Sequence, residues 1–423
     1  MSIFTPKLDL RPASEMRWTT VADIIRLRED TRPSELLSQG VVHTMIGERD
    51  VFFISDPEAI AVILKRDSAS FPKAAVQQRL GYHAFGPSIS GTINETNRRQ
   101  RKALAPLFGG SVLRKVIPIG LEAAQETAKL YARTDEIDLS RLARRLALDI
   151  TWSLFLGPGH YTPPSPKVEL IFDRLLDLPK DQGIAQATVL KDLVDELIRS
   201  DRFATIPKEN PVSQITCPKG LGGDAPLSQA EIYANAVNLA WAGFATTGTC
   251  LAWGLWVLGQ DVELQDKMRR ELCQGVSISD TLHALYSEVM RLWPPAPDAL
   301  RLATRELIVE DYKIAPGSMI MVCPYALHRR RDIWPDPDRF DVSRFLKTDR
   351  PRSPHQMIWP FSGGTSRCMG QAFAWKELVT ATEVLIRECR IVVQPETAAQ
   401  VGLKPGVLID PDRPLMAQLE RIA

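Results

Sequence analysis

The sequence predicts a mainly α protein with a minor β part. Three observations point there. Apolar residues recur at helical spacing from Val21 through Leu197. A capped apolar run extends from Ser228 to about Gln260. Strand-like patterns are short and lie near 40–60 and 296–325. A helical stripe repeats about every 3.6 residues and a strand every 2, so the two patterns separate. Strands and helices do not alternate, which argues against a doubly wound sheet. No internal repeat divides the chain, and residues 1–423 are expected to form one domain.

The elements follow in order. HTMIGERDVFFISDP, residues 43–57, reads as two short strands around a Gly-Glu-Arg-Asp turn. Residues 203–227 carry four prolines and three glycines and are expected to form a loop. Ser228 and Glu231 then make an S-x-x-E capping box, in which each residue satisfies a backbone N–H of the other, so a helix begins there. It runs for about 32 residues, or about 48 Å at about 1.5 Å each, enough to cross a domain. SDTLHALYSEVMRLWPP (279–295) is a helix stopped by Pro294 and Pro295. ALRLA, LIVED and YKIAPGSMIMV read as strands. The proline-rich IWPDPDRFDVSRF leads to FSGGTSRCMG (361–370), and a helix follows from about Met369 to Arg387.

Composition narrows the function. The chain is 44% hydrophobic and 24% charged, which suits a globular protein with a large core. A net charge of +1 gives no global attraction to nucleic acid or anionic membranes. No apolar run reaches the roughly 18 to 20 residues of a membrane span. The opening stretch, broken by Pro6, Pro12 and charges, lacks the apolar core of a secretory signal. The expectation is a cytoplasmic protein without an anchor. The 6 cysteines include no C-x-x-C pair, so zinc-ribbon and thioredoxin readings fail.

Three stretches carry chemistry. Cys368 stands where a glycine-rich turn feeds a helix, and a helix N-terminus favours a thiolate. Gly363, Gly364 and Gly370 allow positive φ and close approach of a bulky partner. Such a thiol is a nucleophile, a metal ligand or a buried apolar group. Gly364-Thr365-Ser366-Arg367-Cys368 lacks the final glycine of a serine nucleophile elbow. Glu288 and Arg291, at i and i+3, share a helix face as a surface pair or a partly buried one. In AGFATTGT (242–249), two glycines and adjacent threonines weaken the middle of the long helix. That predicts a locally opened helix, with close packing against a neighbouring helix as the alternative.

These pieces, in this order, resemble the cytochrome P-450 family of haem-thiolate enzymes. Its signature F-x-x-G-x-x-x-C-x-G is matched by Phe361, Gly364, Cys368 and Gly370, and its E-x-x-R pair by Glu288 and Arg291. Val342-Ser343-Arg344-Phe345 supplies the arginine that completes the family's buried triad, Arg344. Ala242, Gly243, Thr246 and Thr247 match its central-helix motif, and Arg301 in LRLATREL its propionate-binding strand arginine. The resemblance is strong from about 235 to 385 and weaker over 90 to 160. It implies a long central helix over haem b, with Cys368 as the iron ligand. It also implies that Thr246 and Thr247 face O2 and substrate. A haem-thiolate enzyme uses its thiolate to push electron density and favour O–O cleavage.

Three positions depart from the family. Ala245 stands where an acid usually routes protons to bound dioxygen, so ordered water is the expected relay. Asn97, with Arg101 in NRRQR, replaces an aromatic or imidazole propionate donor. Ser366 replaces an arginine or histidine two residues before the cysteine. A peroxide-driven or non-hydroxylating enzyme, or a haem sensor, therefore stays open as an alternative. A zinc hydrolase does not, because His355, the histidine nearest in sequence, lies thirteen residues from Cys368.

Arg98, Arg99, Arg101 and Lys102, with Arg114 and Lys115 beyond, would steer an acidic ferredoxin or flavodoxin toward Arg367. The chain ends soon after 389–420, so no fused reductase is expected and electrons come from an external reductase system. Trp241, Phe244, Ala245, Ala299 and Leu300 are expected to line a pocket for an apolar small molecule. Lys73 and Arg79 are the loop cations that could anchor a substrate carboxylate.

Overall fold

The computed structural model describes residues 3–16, 32–131, 136–156, 160–161, 170–171, 174–175, 188–192, 227–346, 357–405 and 408–422. The expected loop at 203–227 lies outside these residues except for Leu227, as does much of the helical pattern before Leu197. Eight helices position the site: α1 Ala75–Phe85, α2 Asn94–Leu104, α3 Gly110–Tyr131, α4 Leu139–Thr151, α5 Gln229–Gln260, α6 Val262–Cys273, α7 Ser279–Leu292 and α8 Gln371–Glu388. The chain is mainly helical with small sheets, as its periodicity predicts.

Strands β1 Val41–Ile46, β2 Arg49–Ile54, β3 Ala299–Leu302 and β6 Met319–Val322 make a four-stranded sheet in the order β1-β2-β6-β3. β4 Leu307–Val309 and β5 Tyr312–Ile314 form a separate hairpin. The β1–β2 turn is shorter than expected. Ile46 already pairs with Arg49, leaving Gly47 and Glu48 in the turn, with Gly47 at φ 61°. A two-residue hairpin turn needs positive φ, which glycine adopts without steric cost. β2 is covered on both faces. Phe52 and Ile54 pack with Ile320 and Val322, while Val51 and Phe53 pack with Met319, Met321 and Leu300.

α5 begins at the expected capping box, with both the Ser228 and the Glu231 bonds formed. From Thr247 to Gly259 every residue is buried, so this half of the helix is core on all sides. Trp253 stacks on Trp293 with ring centroids 4.6 Å apart, and Trp256 meets both rings edge-on. Toward the N-terminus, Leu239, Ala242, Gly243 and Thr246 keep partial exposure. Their spacing, i, i+3, i+4 and i+7, makes one open stripe.

The helix does not open at 242–249; it is continuous from Gln229 to Gln260. The packing alternative holds instead. A Cβ on Gly248 would lie 2.8 Å from the Arg144 Cα, and one on Gly243 would lie 2.7 Å from the Thr151 Oγ1. The two glycines let α5 and α4 close on each other. Gly248→Ala is therefore expected to destabilise the protein by about 1 kcal/mol. An overpacking cost of about 1–3 kcal/mol outweighs a helix-propensity gain of about 1 kcal/mol. A denaturant midpoint that rises in this variant would overturn the packing account.

Candidate active site

The turn ahead of α8 is built by two residues of positive φ, Ser362 and Gly364, both at 53°. The Cys368 N–H donates to the Phe361 carbonyl at 2.9 Å and closes the loop. Two further N–H groups, of Gly370 and Gln371, point at the sulfur. Residue Cys368 is exposed, yet enough protein surrounds the sulfur for desolvation to raise the thiol pKa. The Gly370 N–H, the charges of Arg101 and Arg367, and the Gln371 N–H oppose that rise. The sulfur thus sits among groups that favour its anion once a cation binds it.

Gly364 takes the expected positive φ, but the close approach at Gly363 and Gly364 is to the protein itself. A Cβ on Gly363 would lie 2.8 Å from the Leu64 carbonyl oxygen, and one on Gly364 would lie 2.1 Å from the Ser68 Oγ. The Ser68 Oγ also accepts from the Thr365 N–H at 3.0 Å. Gly370 alone has room, with only ordinary contacts to Phe108 and the Cys368 sulfur. Ser366 lies half-buried in the 3-10 turn Gly364–Ser366, and Phe361 stands 6.1 Å from the Trp375 ring.

Arg101 and Arg301 supply positive charge beside the turn. Arg101 donates to the Arg367 carbonyl at 2.5 Å and lies close enough to Cys368 for their charges to interact. Arg301 is only 4% exposed; it donates to the Leu300 carbonyl and to Gln77 Oε1. Burial pulls its guanidinium down to about 10. Among the described residues neither arginine pairs with a carboxylate. Asn97 does not join them. Its Nδ2 donates to Ile89 O at 2.8 Å and to Thr92 O at 3.1 Å, which uses both amide hydrogens. It ties the loop before α2 in place and has no hydrogen left for a propionate.

Glu288, Arg291 and Arg344 form a buried network, not a surface pair. Glu288 and Arg291 are both 0% exposed. Arg291 gives two hydrogen bonds to Glu288, at 2.6 and 2.7 Å, and three to the carbonyls of His328, Pro337 and Arg339. All five donors are satisfied. Glu288 Oε1 also accepts from the Asp341 N–H at 2.9 Å and lies 3.3 Å from Arg344 Nε. His328 escaped the sequence reading. Its Nε2 accepts from the Trp359 N–H, and its Nδ1 faces the Arg291 carbonyl. Burial, with Arg291 and Arg329 nearby, pulls it down to about 3, so it stays neutral. No motif marked it, because its role depends on two segments distant in the chain.

On α5, the Thr246 hydroxyl donates to the Ala242 carbonyl at 2.8 Å and lies on the open stripe with Ala242 and Gly243. Thr247 is buried. The expected pocket residues divide. Trp241 is half-buried against Phe85, at 5.3 Å between rings, and Ala299 is half-buried. Phe244 and Ala245, at 0% and 2% exposure, face packed protein, and Leu300 belongs to the cluster under the sheet. These three do not line open space.

A flat macrocycle carrying iron and two carboxylates fits these residues. An accessible thiol with N–H groups aimed at it suits the metal, and buried cations without carboxylate partners suit the acids. Among the described residues, no three His, Cys, Asp or Glu side chains gather as a metal-ligand set. No single described helix is long and apolar enough to cross a membrane.

Comparison with known proteins agrees with this geometry. The family model described as Cytochrome P-450 matches residues 161–417. The chain is 28% identical over 339 residues to cytochrome P-450 137 of Mycobacterium tuberculosis, covering 73% of this chain and 70% of that one. It is 23% identical over 419 residues to cytochrome P-450 3A6 of Oryctolagus cuniculus, covering 88% and 83%. It is also 23% identical over 451 residues to the cytochrome P-450 monooxygenase claW of Ampulloclitocybe clavipes, covering 84% and 83%. The chain therefore belongs to the cytochrome P-450 family, the haem-thiolate monooxygenases that bind haem b through a cysteine.

Proposed function

We infer that residues 1–423 act as one catalytic domain in which Cys368 ligates the haem iron. The domain inserts one oxygen atom from O2 into an apolar small molecule. A separate ferredoxin or flavodoxin system supplies the electrons. The observation that carries this reading is the accessible Cys368 thiol, met by two backbone N–H groups and flanked by Arg101. Exposed Lys102, Arg114 and Arg367 support an acidic electron carrier, and Arg98 on the same surface pairs with Glu95. Arg99 does not contribute to that face, because it pairs with Glu231 at the start of α5.

When bound, the haem supplies the iron at which dioxygen is reduced. The protein's own residues do the rest. Cys368 would hold the metal, and Arg101 and Arg301 would hold the carboxylates. Glu288, Arg291 and Arg344 fix the segment that leads to the cysteine turn. Thr246 Oγ1 spends its proton on Ala242 O, which leaves its lone pairs free on the open stripe. Water hydrogen-bonded to those lone pairs then carries the protons itself, since Ala245 offers no acid. The test is the absorbance spectrum of the reduced, CO-bound protein, followed by substrate-induced Soret shifts across a small apolar library. A thiolate-type band is expected, and an imidazole-type band rejects Cys368.

Ala245 favours one second reading, a peroxide-driven enzyme that needs no proton relay. Turnover with reductase and O2, but none with peroxide, would sink it. Ala245 also permits a direct prediction. It faces packed protein, so Ala245→Asp buries a carboxyl without a partner and is expected to cost about 2 kcal/mol. Coupling of electron use to product is expected not to rise. Better coupling in this variant would overturn the water relay.

A further inference from the structure

The cations available for two haem carboxylates are fewer here than the family pattern implies. Asn97 has spent its amide on loop carbonyls, and Ser366 carries no charge. A residue from another part of the chain occupies the gap. Lys73 lies in a segment that pairs antiparallel with β3, directly opposite Arg301. Two backbone bonds fix this register: Leu302 N–H to Pro72 O at 2.9 Å, and Ala74 N–H to Leu300 O at 3.3 Å. Directly opposed residues of an antiparallel pair project from the same face, so Lys73 and Arg301 leave the backbone on one side.

The Lys73 side chain is placed as firmly as its backbone. Nζ donates to the Ile89 carbonyl at 2.7 Å, the same oxygen that accepts from Asn97 at 2.8 Å. An ammonium has three hydrogens, so two remain for other acceptors. Among the described residues no carboxylate pairs with Lys73. Burial, then the charges of Arg301 and Arg101, pull its ammonium down to about 8. Lys73 is thus repelled by both Arg301 and Arg101, and no carboxylate among the described residues neutralises it. Two carboxylates would convert that repulsion into attraction.

We propose that Lys73 is a third cationic anchor for the haem carboxylates, replacing the donors absent at Asn97 and Ser366. The assignment rests on the reading of Cys368 as haem ligand and extends it to a residue outside the family motifs. It also removes Lys73 from the candidate substrate anchors.

The experiment uses holoprotein of wild type, Lys73→Gln and Lys73→Arg. Gln can still donate to Ile89 O but carries no charge, whereas Arg keeps the charge. Haem transfer to excess apomyoglobin is expected to run about tenfold faster in Lys73→Gln, the scale of one lost charge-assisted hydrogen bond. Lys73→Arg is expected to stay near wild type. The iron reduction potential of Lys73→Gln should move negative, because losing a nearby cation favours the ferric state. Wild-type transfer rate and potential in Lys73→Gln would overturn the proposal and leave Lys73 as a support for Ile89. Equal acceleration in Gln and Arg variants would also overturn it, since charge would not be the cause. A wild type without a thiolate-type CO band would instead reject the reading of Cys368, and the anchor with it.

Discussion

Cys368→Ser is expected to lose the thiolate-type CO band and at least about three orders of magnitude of O2-dependent turnover, equivalent to about 4 kcal/mol of barrier. The substitution is nearly isosteric, and the backbone N–H groups of Gly370 and Gln371 remain in place. What changes is the donor atom. A hydroxyl is far harder to deprotonate than a thiol, and it gives iron none of the electron density a thiolate supplies. The residue is exposed, so far-ultraviolet circular dichroism should not change. A Ser variant that keeps the thiolate-type band would mean that another of the cysteines is the ligand. Cys250, Cys323 and Cys389 are buried, and burial raises the thiol pKa of each.

Glu288→Ala is expected to destabilise the protein by about 3–5 kcal/mol, the usual result of removing one partner of a buried ion pair. The loss is large because it falls on several groups together. Two Arg291 donors and the Asp341 N–H lose their acceptor, and Arg344 loses the carboxylate 3.3 Å from its Nε. The Arg291 guanidinium would stay fully buried with no counter-charge. Total stabilities of domains are about 5–15 kcal/mol, so this is a substantial share. Urea or thermal denaturation measures it, and holoprotein yield should fall in parallel. Glu288→Gln should cost less, because its amide oxygen can still accept from the Asp341 N–H. A midpoint unchanged in Glu288→Ala would show that Arg291 is held by backbone carbonyls alone.

Local signals in the sequence were sufficient for much of the fold. The capping box at Ser228 and Glu231 is a short-range device, and the helix starts where it predicts. Pro294 and Pro295 end α7 for a reason internal to the chain, the missing N–H and the fixed φ. The glycines at 243 and 248 were misread because a weak helix former has two explanations. Only the approach of Arg144 and Thr151 distinguishes them. Asn97 was misread for a related reason. Its amide can donate to a propionate or to a carbonyl, and Ile89 and Thr92 take it first.

By itself, then, the sequence determined the helical class, the long capped helix, the lone thiol in its turn and the ordered motifs of the family. Each depends on residues within about one turn or one loop of each other. Tertiary structure alone decided that Glu288 and Arg291 are buried, and that Phe244, Ala245 and Leu300 face protein. It also decided that Lys73 stands opposite Arg301. These outcomes depend on which segments pack together, and the charge environment of a side chain is set by neighbours from anywhere in the chain. Residues 73, 101 and 301 share no local pattern, yet Lys73 lies close enough to both arginines for their charges to act on it.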